Sequence, residues 1–254
     1  MKKNYLKHLY SFLGIAAFCA LFIGSATQSK VPKDVFSFSY TARQSAAPGS
    51  ANTSIILIKP HYATNWAYSQ CELFQNYGKS FAADLEALLI ARGFTMSKSY
   101  ESYDEIIFSD KKDADIMLKI EIKPEFTAST GSWSNNSFIS NAPAWKYKGV
   151  TNIIGKINLT GSEPLTGEKI WAYSLDIPEQ DGIQVATLNA YDRQLNDVSL
   201  MNDVGFYNPI GSALMSSYQG IMTKIENKLD PEEFKALKPQ IKELKAKRGY
   251  DGNK

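Results

Sequence analysis

The sequence predicts an α+β fold: a mixed, largely antiparallel sheet with an N-terminal β-α-β unit, packed helices and a C-terminal helical tail. Three observations predict it. A continuous apolar run is followed by a long amphipathic stretch and a second extended run. Two later segments alternate apolar and polar residues, and two helical stripes near the C-terminus each open on a capping residue followed by proline. With 254 residues, 44% hydrophobic and 21% charged, the chain suits one globular domain or two small ones, and is neither disordered, collagenous nor a multi-span membrane protein.

Residues 1–8 carry Lys2, Lys3 and Lys7 and no acid, residues 9–24 are almost wholly apolar, and residues 25–28 are small and polar. A positive start, a short apolar run and small residues at its end are the parts of a secretory signal, here residues 1–26, with Gly24 and Ala26 as the small residues of the cleavage site. The alternative is an uncleaved membrane anchor. Of the 28 basic residues three lie in this leader, so the remainder is close to balance against the 26 acidic ones. That charge gives no general electrostatic case for nucleic acid or anionic lipid.

Residues 27–53 read as a polar lead-in arm, in which 35–40 (VFSFSY) alternate as a short strand. Residues 54–59 (SIILIK), closed by Pro60, suit a central strand buried on both faces. Within 69–92 the residues Leu73, Tyr77, Phe81, Leu85, Leu88 and Leu89 line one helical face, and Gly93 stops the helix. Residues 94–100 then form a strand parallel to the first. Next, Ile116, Leu118, Ile120 and Ile122 face the core while Met117, Lys119, Glu121 and Lys123 face water, until Pro124 ends the strand.

Residues 150–160 and 168–177 predict a hairpin, with Trp171, Tyr173, Leu175 and Ile177 on one face opposite Ile153, Ile157 and Leu159. Asn208-Pro209 predicts a helix start, with the stripe Ile210, Leu214, Tyr218, Ile221, Met222, Ile225 and Leu229. Asp230-Pro231 opens another, with the stripe Phe234, Leu237, Ile241 and Leu244, in which Pro239 must kink or restart the helix. The lysines 235, 238, 242, 245 and 247 and Arg248 surround that stripe as a solvated face or, alternatively, a lipid-binding patch. The predicted organisation is an α+β domain over 54–229 and a basic amphipathic tail over 230–254.

Reactive equipment is sparse. Past the leader Cys71 is the only cysteine and His61 the only histidine, too few for a Cys/His zinc site or an internal disulfide. No Gly-x-Ser-x-Gly elbow, phosphate loop or dinucleotide fingerprint occurs. A Cys71/His61 pair is a conceivable nucleophile; a buried thiol and a surface imidazole is the plainer reading. Carboxylates are plentiful but cannot be paired across space from sequence, so a hydrolase reading needs a cleft that gathers two of them. No cofactor and no metal is implied, and the expectation is a protein that is not an enzyme.

Two loops are candidate recognition surfaces. Residues 127–148 hold Trp133, Asn135, Asn136, Trp145 and Tyr147 among serines and threonines. Aromatic rings stack on the C–H faces of sugars while amides bond the hydroxyls, although a loop tryptophan also fills small satellite cores. Residues 178–207 hold Arg193, whose guanidinium can grip a sialic-acid carboxylate with two parallel bonds, or be simply solvated.

The stretches SIILIKP, LEALLIARGFTM, DEIIFSDKKDADIMLKIEI, LTGSEPLTGEKIWAYSLDI and KLDPEEFKALKPQIKELKAKRG together resemble the neuraminyllactose-binding haemagglutinin family, the Helicobacter adhesin A proteins. The resemblance spans residues 54–248. It implies a non-enzymatic adhesin paralogue exported to the outer membrane, cell surface or flagellar sheath, with sialylated glycans or host glycoproteins as partners. The periplasm is the alternative location. A structural component of the envelope or sheath, held by sheath proteins or through the N-terminal segment, is the alternative function. Two features depart from the family pattern: Ser25 stands where its lipoprotein cysteine would be, and 126–133 (FTASTGSW) lacks the basic residues of its proposed sialic-acid motif.

Overall fold

The computed structural model describes residues 32–63, 66–135, 145–177, 180–186, 193, 195 and 198–247. The expected signal 1–26, Asn136 and Arg248 lie outside them. The chain divides into two units, Met1–Pro32 and Lys33–Lys254, and the described residues from Lys33 onward belong to the second. Among the described residues no helix is long and apolar enough to cross a membrane.

Strand β1 (Ser54–Tyr62), helix α1 (Glu72–Ala91) and strand β2 (Thr95–Tyr100) build the expected β-α-β unit, with β1 and β2 parallel. β1 also pairs in parallel with β3 on its other side, so Ile55 to Ile58 are buried, as an uninterrupted apolar run requires. α1 buries Leu73, Tyr77, Phe81, Leu85, Leu88 and Leu89. It ends where Gly93 turns left-handed at φ 84°. There the Phe94 N–H bonds the Leu89 carbonyl at 3.1 Å and the Gly93 N–H bonds the Ile90 carbonyl at 2.9 Å, which satisfies two orphan carbonyls of the last turn.

After a short helix α2 (Phe108–Asp113), strands β3 (Ile116–Asn135) and β4 (Trp145–Ser162) form a long antiparallel hairpin, and β5 (Lys169–Asp176) and β6 (Gln180–Ala186) pair with successive parts of β4. The sheet has six strands in the order β2-β1-β3-β4-β5, with β6 also on β4. It is mixed and largely antiparallel, as predicted.

Several expectations need correction. Pro124 does not end β3. The Ile122 carbonyl takes the Ala63 N–H at 2.9 Å, so Ile122 and, by the two-residue alternation, Pro124 face the β1 side. β1 stops at Tyr62, so no partner misses the proline N–H. Opposite Pro124 stands Gly155 at φ 143°, where a Cβ would lie 2.1 Å from the Lys123 carbonyl oxygen. Met117, expected in water, is buried with Ile56, Ile58, Ile106 and Ala114 in a small second core at one corner of the other sheet face. The predicted loop 127–148 is the outer half of the β3–β4 hairpin over its described residues, and the predicted loop 178–207 contains β6.

Helix α3 (Val204–Lys228) begins before Asn208. The Asp203 side chain caps it by accepting from the Gly205 N–H at 2.8 Å, and Pro209 sits in its second turn. Only the bond to the Gly205 carbonyl is forgone there. The rest of the predicted stripe is buried, from Ile210 to Leu229. α4 (Pro231–Ala236) is capped by Asp230, and α5 (Lys238–Lys247) restarts at Pro239 as expected.

The segment 33–53 forms no strand. Phe36, Phe38 and Tyr40 turn to one side, as their alternation implies, but onto helices. Phe38 lies against Tyr77 of α1 at 5.1 Å and Tyr218 of α3 at 5.5 Å, while Glu226 of α3 accepts from the Tyr40 hydroxyl and from the Arg43 N–H at 2.9 Å. This strap and the tail both contribute to the main core, so that core extends on either side of 54–229: Phe234 and Ile241 are buried within it. Two lysines of the tail are drawn onto the domain. Lys238 pairs with Asp115 at 3.3 Å, and Lys245 donates to the carbonyls of Lys112 at 2.9 Å and Ala114 at 2.8 Å, its pKa lowered by burial.

Candidate ligand-binding face on the long hairpin

The outer half of the hairpin owes its geometry to glycine and to one irregularity. The register shifts between Ala128 and Thr130, so a β-bulge reverses which residues of β3 face inward. Beyond it Trp133 stands opposite Tyr147, and Asn135 opposite Trp145. Residues directly opposite in an antiparallel pair share a face. Trp133, Asn135, Trp145 and Tyr147, scattered over the predicted loop, therefore lie together on the face that continues the core side of the sheet.

Below them Gly131 is paired with Gly149. The Tyr147 ring occupies the space their missing side chains leave: a Cβ on Gly131 would lie 2.4 Å from the Tyr147 Oη, and one on Gly149 would lie 2.3 Å from the Thr130 carbonyl oxygen. The Tyr147 hydroxyl reaches the carbonyls of Thr130 at 3.1 Å and Val150 at 3.2 Å, and burial raises its pKa. Tyr147 is only 2% exposed. Its part is to hold Trp133, whose ring packs on it at 4.9 Å, rather than to offer a surface of its own. Trp133 and Trp145 are half-buried, and the Arg193 guanidinium lies 3.5 Å over the Trp145 ring. Such stacking sets a guanidinium charge against the face of an aromatic ring.

The opposite face of the same strand ends carries Lys146 and Lys148, paired with Ser134 and Ser132. Aromatic and amide content gives no sign of these lysines, and only the register separates them from the tryptophans.

Grooves also lie elsewhere among the described residues, and two of them carry charged side chains of both signs. One of about 690 Å³ opens where the parallel strands end, lined by Lys59, Tyr62, Gln70, Phe74, Lys79 and Glu101, with Lys59 bonded to Glu101 at 2.6 Å. The rule that ligands gather at the carboxyl ends of parallel strands is the signal that could have found it. The other, of about 540 Å³, gathers Glu125 and Asp176 with Lys123, Lys156 and Lys224. The Asp176 side chain is 82% exposed, whereas a catalytic acid needs a carboxyl withdrawn from water. Burial raises the Cys71 thiol, which disfavours its thiolate, and lowers the His61 imidazole, which keeps the ring neutral. Among the described residues no three His, Cys, Asp or Glu side chains could hold a metal ion.

The chain is 24% identical over 204 residues to the neuraminyllactose-binding hemagglutinin of Helicobacter pylori, which covers 76% of this chain and 77% of that protein. A further Helicobacter pylori protein of the same name is 22% identical over the same length. Among solved structures, a Helicobacter pylori chain described as a homologue of that hemagglutinin superposes with a TM-score of 0.56 at 18% identity, covering 82% of this chain and all of that one. No family model matches the chain. The resemblance read from the sequence, that of a paralogue of this family, is borne out, and the solved structure has the same fold.

Proposed function

We propose that this chain is an exported, non-enzymatic recognition protein of the hemagglutinin type, presented at the cell envelope or surface, that binds sialylated saccharides on the inner face of the hairpin. The observation that carries the reading is the Arg193 guanidinium stacked over Trp145, on the face that Trp133 and Asn135 share. The ledge offers an apolar wall for a sugar ring, beside a guanidinium whose charge complements a carboxylate. The relatives' name supports the same ligand class.

Titration of the purified chain with sialyllactose and with lactose, followed by tryptophan fluorescence, tests it. Sialyllactose is expected to bind and lactose to bind at least about tenfold more weakly, since one bidentate charged pair is worth on the order of 1.5–3 kcal/mol. Arg193→Lys, which keeps the charge but loses the fork, should erase most of that preference. Equal response to the two sugars would defeat the reading.

A further inference from the structure

The strands that bound the sheet do not have equivalent edges. β2 has six residues with Lys98 near its middle, held to Asp110 at 3.0 Å. β6 is abutted by the start of α3, where a Cβ on Gly205 would strike the Ala186 carbonyl. A short strand, a central lysine or a covering helix blunts an edge against further pairing. β5 has none of these protections. It is eight residues long, and between Lys169 and Asp176 its sequence IWAYSL contains no charge and no proline. Among the described residues only β4 pairs with it.

The register shows which backbone groups that edge offers. The Ile177 N–H, one residue past the end of β5, bonds the Gly155 carbonyl of β4 at 2.8 Å. In an antiparallel pair the N–H and C=O of one residue point to the same side, and those of the next residue to the other. Trp171, Tyr173 and Leu175 therefore face β4, while Ala172, Ser174 and Asp176 turn their N–H and C=O groups away from it. All three of the latter are exposed. Such a row of donors and acceptors is a template for an added strand.

The charge beside the edge selects what is added. On the inner face Lys228 of α3 lies 5.0 Å over the Tyr173 ring, and Lys224, one turn earlier on the same side of the helix, lines a groove with Asp176 and Ile177. Both lysines are exposed, and among the described residues neither has an ion-pair partner. The acids nearby are placed otherwise: Glu233 accepts from the Trp171 Nε1–H at 2.8 Å, and Asp176 lies 4.0 Å from Lys156 on the open face of the sheet. A second copy of β5 is the poorer occupant, because antiparallel self-pairing brings the Lys224 and Lys228 of both chains to one seam.

We propose that the free edge of β5 is a strand-addition site for an extended segment of another protein, bound through the backbone of Ala172, Ser174 and Asp176, whose alternate acidic side chains meet Lys224 and Lys228. The site is separate from the saccharide ledge and does not depend on it.

The test titrates the full chain with an eight-residue peptide alternating glutamate and valine, and with its lysine–valine counterpart. Hydrogen exchange is the readout. In the free chain the amides of 172, 174 and 176 should exchange faster than those of 171, 173 and 175; the glutamate peptide at saturation should slow the first set by about tenfold or more and leave the second nearly unchanged. Lys224→Glu/Lys228→Glu should weaken that peptide by about fivefold or more and favour the lysine peptide, and added salt should weaken the wild-type complex. Ala172→Pro removes an N–H that β4 does not use, so it should keep the melting temperature and abolish binding. Should that variant fail to fold, N-methylated peptides carry the same test: blocking one alternate set of amides should abolish binding and blocking the other should spare it, since an added strand bonds through a single edge. Equal binding of the glutamate and lysine peptides, binding of neither, or equal loss with both methylated sets overturns the proposal. Sedimentation of the chain alone is the remaining arm: a dimer lost in Ala172→Pro assigns the edge to a second copy and overturns the acidic partner, whereas a monomer at all concentrations agrees with it.

Discussion

The two ends of the sheet pack aromatic rings at the same spacing and reach different results. Where β1, β2 and β3 begin, Phe234 of α4 lies 5.3 Å from Phe94 and 4.9 Å from Trp171, and all three are buried. At the hairpin end Trp133 and Tyr147 also lie 4.9 Å apart, yet Trp133 keeps part of its surface in water. Ring contact is equal; coverage is not. A second layer of helix closes the first cluster, whereas the hairpin ring pair sits on one ribbon, with Arg193 the described residue stacked over neighbouring Trp145. Aromatic content makes a core only where another element supplies the opposite wall. An aromatic stripe that outruns its helices is what a ligand face looks like.

The sharpest way to break the comparison is Phe234→Ala, which should cost on the order of 3–5 kcal/mol in denaturant unfolding, because the cavity is walled by Phe94 and Trp171 and cannot collapse. Trp133→Ala should cost visibly less, because water already reaches that ring. If the two costs were equal, the distinction between the ends would fail. Next in size, Gly149→Ala puts a Cβ against the Thr130 carbonyl oxygen and Tyr147, and should destabilise by about 2 kcal/mol. Its hydrogen exchange should quicken in 127–135 and 145–153 while the β1–β2 end stays protected.

Glu226→Gln should cost about 1–2 kcal/mol, by weakening the acceptor that holds Tyr40 and Arg43. Faster exchange confined to 33–46 would mark this as release of the strap. Smallest is the pH effect of His61. Burial first, and then the charge of Lys119, lower its pKa from 6.5, so the folded state prefers the neutral ring. That contribution is complete above 6.5 and is lost as the pH falls below it, since the unfolded chain then binds the proton more readily. His61→Gln should flatten the decline in melting temperature between neutral and mildly acid pH.

Much of the fold was legible because single elements announce themselves. The four- and three-residue spacing of Leu73 to Leu89, the Gly93 stop and the Asp230-Pro231 cap are local statements that packing only had to accept. The β4–β5 register followed from the matching faces of Ile157 and Leu159 with Leu175 and Tyr173, which pair as expected. Pro124 misled because a proline's cost depends on whether a neighbouring strand needs its N–H, and that neighbour, β1, ends nearby only in space. Asn208-Pro209 misled because Asp203 offered an earlier cap. The site was legible as composition and illegible as geometry. Tryptophan, asparagine and arginine stood out, but the bulge at 128–130 decides that they share a face and that Lys146 and Lys148 do not.

The sequence by itself determined most of the residues that leave water, the stop of α1 at Gly93, the start of α4 at Asp230, and that past the leader one thiol and one imidazole are the whole stock of their kind, since these depend on side-chain chemistry and short-range spacing. The tertiary structure alone decided that the lead-in is a strap and that the tail closes the core. Both rest on contacts between residues far apart in the chain, such as Tyr40 with Glu226 and Phe94 with Phe234, which no local pattern encodes.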